Sequence, residues 1–241
     1  MTTQSTTEKL NSLLSRSQGV EDTILLALGN LGGKAVFSTS FGKEDQVIYD
    51  VIARNNLPIE VFTLDTGRLF PETYSVWSRT IEKYKKPIRS YFPNDLTVES
   101  MTSEFGPNLF YESVEWRKMC CNVRKVEPLN RALSGANIWI TGIRAAQSEN
   151  RASMKMVEWD NQRSIYKIHP LLQWNNEMVD SYIDRHHVPY NKLHDKGFLS
   201  IGCAPCTRAV AAGEDARAGR WWWEDASKKE CGLHAEKSSN S

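Results

Sequence analysis

Five cysteines carry the clearest chemical signal in this sequence. Cys120 and Cys121 are adjacent, and Cys203-Ala204-Pro205-Cys206 forms a CxxC turn far downstream. Neighbouring cysteines seldom pair with each other, because the ring they would close is strained. Four thiols in two close pairs suit a tetrathiolate site for an iron–sulfur cluster or for zinc, and spacing alone leaves the metal open. A redox CxxC pair and buried apolar thiols are the plainer alternatives. The fifth thiol, Cys231, lies in Lys228-Lys229-Glu230-Cys231-Gly232-Leu233-His234. Here the lysines favour a thiolate, Glu230 opposes it, and His234 is close in sequence. An odd cysteine count in a mid-sized chain without an export signal argues for ligands or reagents, not disulfide staples. If four thiols are ligands, the remaining one cannot complete a two-electron reduction through an internal disulfide. A reductive role for Cys231 then requires an outside thiol.

A second feature is Ser38-Thr39-Ser40-Phe41-Gly42-Lys43-Glu44-Asp45, which follows a short apolar run. Small residues and a glycine at a strand-to-helix turn let backbone N–H groups and a helix N-terminus face an anion. An ordinary N-cap is the competing reading. The loop resembles the pyrophosphate loop of the adenine-nucleotide hydrolase-like superfamily, whose ATP pyrophosphatases carry Ser-Gly-Gly-x-Asp-Ser. The Phe41 ring and the extra Glu44 carboxylate are expected to crowd a pyrophosphate, which counts against ATP cleavage.

Those residues need a scaffold, and the pattern predicts an α/β one. Val20 to Leu31 has helical spacing, Gly32-Gly33 stops it, and Ala35-Val36-Phe37 reads as a strand leading into the Ser38 loop. Gln46 to Ala53 follows as a helix. Ile59 to Leu64 reads as a second strand, Asp65-Thr66-Gly67 as its turn, and Pro71 to Tyr84 as a helix. Further strands are expected at Ile88–Phe92 and Ile138–Thr141, and a helix at Asn176–His186. Alternation of this kind predicts a mostly parallel sheet with helices on both faces and ligands at the carboxyl ends of its strands. The expected organisation is a flexible N-terminus over 1–18, one catalytic domain over 19–224, and a mobile C-terminal tail over 225–241 that is nearly devoid of large apolar residues.

Bulk composition narrows the function. With 30 Lys plus Arg against 29 Asp plus Glu in 241 residues, no global field steers the chain to nucleic acid or anionic lipid. No stretch has signal-peptide or membrane-span character, so a soluble cytoplasmic protein is expected. Oligomeric state is not readable from the sequence, and a homo-oligomer stays open.

Six ordered segments resemble the assimilatory adenylyl sulfate reductases, within the sulfonucleotide reductases. They are Leu64-Asp65-Thr66-Gly67, Trp116-Arg117-Lys118-Met119-Cys120-Cys121 with Asn122 to Leu129, Gly142-Ile143-Arg144 with Gln147 to Arg151, Ile201-Gly202-Cys203-Ala204-Pro205-Cys206, Arg217-Ala218-Gly219-Arg220-Trp221, and Glu230-Cys231-Gly232-Leu233-His234. The resemblance implies an adenine nucleotide alpha hydrolase-like fold and a 4Fe-4S cluster on Cys120, Cys121, Cys203 and Cys206. It places Lys125 between cluster and substrate, and the nucleotide along the loop from Ser38 to Asp45, with Ser38, Ser40, Phe41 and Gly42 as contacts, and against Leu64. Arg144, Arg151, Arg217 and Arg220 become candidates for the phosphosulfate, and His234, near the reacting thiol, is expected to bind substrate as well. Guanidinium forks match such oxygens in bidentate fashion, although a surface ion pair is the plain alternative for each. Of Trp221 to Trp223, two are expected to be packing residues. The implied reaction is attack of Cys231 on the sulfate sulfur, loss of AMP, and release of sulfite by thioredoxin or glutaredoxin. Alternatives are 3′-phosphoadenylyl sulfate or dual specificity, an ATP pyrophosphatase-type enzyme, and a zinc-stabilised binding module.

Overall fold

The structure is a computed structural model that describes residues 2–147 and 151–225. Cys231, His234 and the tail expected beyond Asp225 lie outside the described residues. Strands β1 (Ala35–Thr39), β2 (Ile59–Leu64), β3 (Arg89–Tyr91), β4 (Ile138–Ile140), β5 (Val157–Asp160) and β6 (Ile165–Ile168) form one sheet in the order β3-β2-β1-β4-β6-β5. Every pairing is parallel except β5 with β6.

Both faces are covered, as the near-continuous apolar strands require. On one face Phe37, Ile138, Ile140 and Ile168 join a core with helices α1 (Thr3–Leu14), α2 (Val20–Leu31), α3 (Lys43–Arg54), α4 (Pro71–Tyr84) and α8 (Asn176–His186). On the other, Val36, Phe62, Trp139 and Ile165 pack with Leu129, Ala132 and Leu133 of α7 (Glu127–Leu133). The period of two along β1 and β4 therefore sorts side chains between two cores. Helices α5 (Asp95–Phe105) and α6 (Val114–Cys121) complete the chain order ahead of α7.

Of the segment 1–18 expected to be a flexible arm, the described residues form a packed helix instead. Thr3–Leu14 is helical, capped by Thr2, with Leu10 and Leu14 buried. The Asn11 side chain donates to the Val157 carbonyl at 2.8 Å and accepts from the Val157 N–H at 3.0 Å, which ties α1 to edge strand β5. Packing of one leucine stripe overrides the weak helix propensity of its Ser and Thr residues.

Strand order places the functional cleft. The chain runs β1 to β2 to β3 in one direction and then returns to place β4 on the other side of β1. The loops after β1 and β4 therefore diverge and leave a crevice at the carboxyl edge of the sheet.

Candidate functional site

That crevice is a cleft of about 400 Å³. Its lining includes Ser38, Ser40, Phe41 and Gly42 after β1, Leu64 of β2, Lys125, and Arg144, Arg151, Arg217 and Arg220. Every described residue expected at the substrate is thus on one surface. Gly42 caps α3 without a side-chain bond, so the first-turn N–H groups of α3 are not covered by a cap. Asp45 shapes the loop from beneath: its carboxylate accepts from the Ser40 N–H at 2.6 Å and the Ser40 hydroxyl at 2.7 Å. Burial pushes the Asp45 carboxyl up to about 6, against the opposing pull of the two Ser40 bonds. Gly142 lies so close to Asp45 that a Cβ there would collide with its carboxylate.

Two expectations about this loop change. The Phe41 ring does not fill the anion space. Its backbone takes a left-handed turn, φ 61°, and the ring is buried, stacked on Trp77 at 5.4 Å between centroids. The ring therefore gives no steric argument against a pyrophosphate. Nor is Glu44 a loose repulsive charge, because its carboxylate is paired with Arg144. Arg144 donates from Nε (2.8 Å) and Nη2 (2.6 Å) to Glu44, from Nη2 to Asn176 Oδ1 (2.7 Å), and from Nη1 to the Trp174 carbonyl (3.1 Å). Its guanidinium braces three segments, which makes it a strut of the cleft wall. Arg151 is placed beside it through Gln147, which accepts from Arg151 and donates to Glu44 at 3.1 Å.

The four paired cysteines line a second, smaller cavity with Arg68, Phe110, Arg117, Arg124, Lys125, Pro205, Arg220 and Trp221. None of the four is joined in a disulfide among the described residues. The first pair ends α6, which continues through one π-helical turn, Asn122–Val126, into α7. Pro128 lacks the N–H that would bond the Arg124 carbonyl, so the wide turn falls just ahead of it. The second pair is held opposite by a single 3₁₀ turn, Ala204–Cys206, and by Thr66, whose hydroxyl is 3.3 Å from Cys203 Sγ. Burial pushes the Cys206 thiol up to about 12 and raises Cys120 as well. Protonated thiols of this kind are poor nucleophiles, whereas a bound metal removes the proton outright.

Does this cavity fit an iron–sulfur cluster? Among the described residues no three Cys, His, Asp or Glu side chains converge closely enough to hold a single metal ion. The surroundings nonetheless suit a polynuclear anion with sulfur acceptors. Arg124 Nε, Arg220 Nε and Trp221 Nε1 are buried donors without a hydrogen-bond partner, and all three residues line this cavity. Buried donors left unsatisfied cost about 1–3 kcal/mol each, and thiolate or sulfide sulfur would relieve that. Arg68, Arg117, Arg124, Lys125 and Arg220 surround it with positive charge.

The two cavities share a wall. Lys125, Arg220 and Trp221 line both. Arg220 rests on the Trp221 ring at 4.7 Å, Arg117 lies 4.6 Å from the centroid of that ring, and Gly202 leaves room that a Cβ would deny the Arg220 guanidinium. Arg117 in turn forms a buried bidentate pair with Glu224, at 2.9 and 2.7 Å. Trp221 is buried and Trp223 packs against the thiol core, while Trp222 is exposed; the expectation of two packing tryptophans holds. Sequence reasoning passed over Thr66 and Arg124 as functional groups, and it placed Asp45 only at the end of the nucleotide loop. Each sat inside a quoted motif, but only the fold shows them meeting a thiol or the loop.

A mostly parallel sheet in this order, with an anion-receptive crevice after its first strand, has the adenine nucleotide alpha hydrolase-like fold. Residues 34–209 match the family model described as "Phosphoadenosine phosphosulfate reductase domain", and the chain belongs to that family. An adenosine 5'-phosphosulfate reductase of Sinorhizobium fredii (strain NBRC 101917 / NGR234) is 48% identical over 242 residues, covering 100% of this chain and 96% of its own length. The enzyme of that name from Allochromatium vinosum is 50% identical over 199 residues, covering 83% of this chain and 78% of its own. Among solved structures, the phosphoadenylyl-sulfate (PAPS) reductase of Candida auris, a phosphate complex, superposes with a TM-score of 0.73 at 27% identity, covering 87% of this chain and 98% of that one. Among the described residues no helix is long and apolar enough to cross a membrane.

Proposed function

We propose that this chain reduces adenylyl sulfate to sulfite and AMP, with a thioredoxin or glutaredoxin as electron donor, in assimilatory sulfate reduction toward cysteine. The observation that carries this reading is the shared wall: Lys125 and Arg220 line both the cleft at the carboxyl edge of the sheet and the cavity that gathers four thiols. Its relatives' names point the same way, since proteins 48% and 50% identical are named for adenosine 5'-phosphosulfate reduction.

In this reading the nucleotide lies along Ser38 to Gly42 and against Leu64. Lys125, Arg151, Arg217 and Arg220 take the phosphosulfate oxygens and hold the charge that develops on the departing phosphate. Cys120, Cys121, Cys203 and Cys206 would hold a 4Fe-4S cluster, which supplies a fixed charge distribution beside the substrate. The Cys231 thiolate attacks the sulfate sulfur, the S–O bond to AMP breaks, and an S-sulfocysteine forms. A thiolate of the outside dithiol then attacks the Cys231 sulfur and expels sulfite, and its second thiol resolves the mixed disulfide. The two electrons come from that dithiol, which leaves oxidised.

Anaerobically purified protein should contain about four irons and four acid-labile sulfides per chain. It should form sulfite from adenylyl sulfate when given reduced thioredoxin. Cys231→Ser should keep the iron, bind nucleotide and form no sulfite; sulfite formation by that variant sinks the mechanism. Wild-type protein given adenylyl sulfate without reductant should gain the mass of one SO₃ group at Cys231. The family model and the Candida auris enzyme are named for the 3′-phosphorylated nucleotide, so 3′-phosphoadenylyl sulfate is the competing substrate to run alongside.

A further inference from the structure

The wall of the cleft contains a hydrogen-bonded chain that the proposed reaction does not use. Thr141, just past β4, lines the cleft, and its hydroxyl oxygen is 2.7 Å from His169 Nδ1. His169, just past β6, is fully buried, and its Nε2 faces Glu158 Oε2 of β5 at 3.4 Å. Three neighbouring strand segments thus carry a hydroxyl, an imidazole and a carboxylate in a row, leading from the cleft toward the sheet edge.

The row has a direction. Burial works against charge on Glu158, but His169, the Lys155 N–H and Lys167 together hold its carboxyl below the usual range. Burial also pushes His169 down; Glu158 opposes this, and Lys167 and Arg151, the other charges facing the ring, reinforce it. An ionised carboxylate only accepts, so the proton of the neutral ring resides on Nε2 and Nδ1 becomes an acceptor. The Thr141 O–H must then point at Nδ1, and what it offers the cleft is lone pairs alone.

We infer that His169 and Glu158 fix Thr141 as an obligate acceptor in the cleft, where it takes a hydrogen bond from a ribose hydroxyl of the nucleotide. This rests on the nucleotide reading above. Phosphate and sulfate oxygens are themselves acceptors and are turned away by such a group. The nucleotide reading puts the adenine amine, the other donor of the ligand, against Leu64 on β2, and β1 stands between β2 and β4. The ribose connects the base to the phosphosulfate held by Lys125, Arg151, Arg217 and Arg220, and it is the part that presents donors to Thr141. Thr141 is therefore a specificity-determining contact, and His169 is a positioning residue acting through it.

Calorimetric binding of AMP, 2′-deoxyAMP and 3′-deoxyAMP to the full-length protein tests this. Wild type should bind one of the deoxynucleotides about five- to tenfold more weakly than AMP, as one lost hydrogen bond requires. Thr141→Val should weaken AMP by the same factor yet leave that deoxynucleotide unaffected, and Thr141→Ser should behave as wild type. His169→Phe should lower the discrimination between AMP and that deoxynucleotide. Equal affinity of wild type for all three nucleotides overturns the inference without needing any variant to fold, as does a Thr141→Val loss shared equally by all three. If wild type binds no AMP at all, the nucleotide reading itself has failed.

Discussion

Replacing Arg144 with Met removes the guanidinium that joins Glu44 to the Trp174 carbonyl and to Asn176. Its side chain is 6% exposed and that of Glu44 17%, so the pair is largely withdrawn from water. Breaking a buried ion pair by deleting one partner costs about 3–5 kcal/mol, mostly because a carboxylate is left without its cation. Glu44 keeps the Gln147 amide at 3.1 Å and some contact with solvent, which places this case near the lower bound, about 3 kcal/mol. In a domain of this size that corresponds to a fall in melting temperature of about 6–12 °C. Thermal unfolding without nucleotide reads it directly. The double variant Glu44→Gln with Arg144→Met removes the stranded charge and should recover at least half of the loss. A single variant with unchanged melting temperature but a sharply raised KM would refute the strut and make Arg144 a substrate fork.

Other outcomes follow from the same geometry. Gly202→Ala should displace the Arg220 guanidinium and lower kcat/KM by about 100-fold in a sulfite-release assay while leaving iron content unchanged. Arg117→Leu strands Glu224 in a pair whose side chains are 1% and 3% exposed, and chemical denaturation should register a loss of about 3–5 kcal/mol. Because the folded Asp45 carboxyl titrates near 6 and its unfolded value is 3.8, the folded state binds the extra proton between those values. Stability should therefore fall by roughly 3 kcal/mol in all as pH rises from about 3 to about 7, with about 2 kcal/mol of that between pH 4 and pH 6, a slope absent in Asp45→Asn when unfolding is followed across that range.

Much of the scaffold was legible because its signals are local. Helices at Val20–Leu31, Pro71–Tyr84 and Asn176–His186 and the strand Ile59–Leu64 coincide with the periods and stops read from the chain. The hairpin of β5 and β6 was not read. Val157 to Asp160 mixes charges with apolar residues, and Lys167 is buried by pairing with Asp160 at 3.0 Å, a partner that no pattern of single residues announces. Helix α1 was missed for a similar reason, since its stability comes from Leu10, Leu14 and the Asn11 contacts with β5.

For the site, the residue types and spacing determined which groups could act. Two cysteine pairs, a glycine-bearing loop and an ordered set of arginines require no fold to be recognised. What each group does was decided only in three dimensions. Phe41 and Arg144 carry side chains suited to a wall and a fork, but the left-handed turn at Phe41 sends its ring to Trp77, and Glu44 occupies the guanidinium of Arg144. Lys125 and Arg220 stand almost a hundred residues apart in the sequence and yet close the same wall, because π-turn and CxxC turn meet over the end of the sheet. Hydrogen bonds and burial depend on which partners long-range packing delivers, and a linear pattern holds no record of those partners.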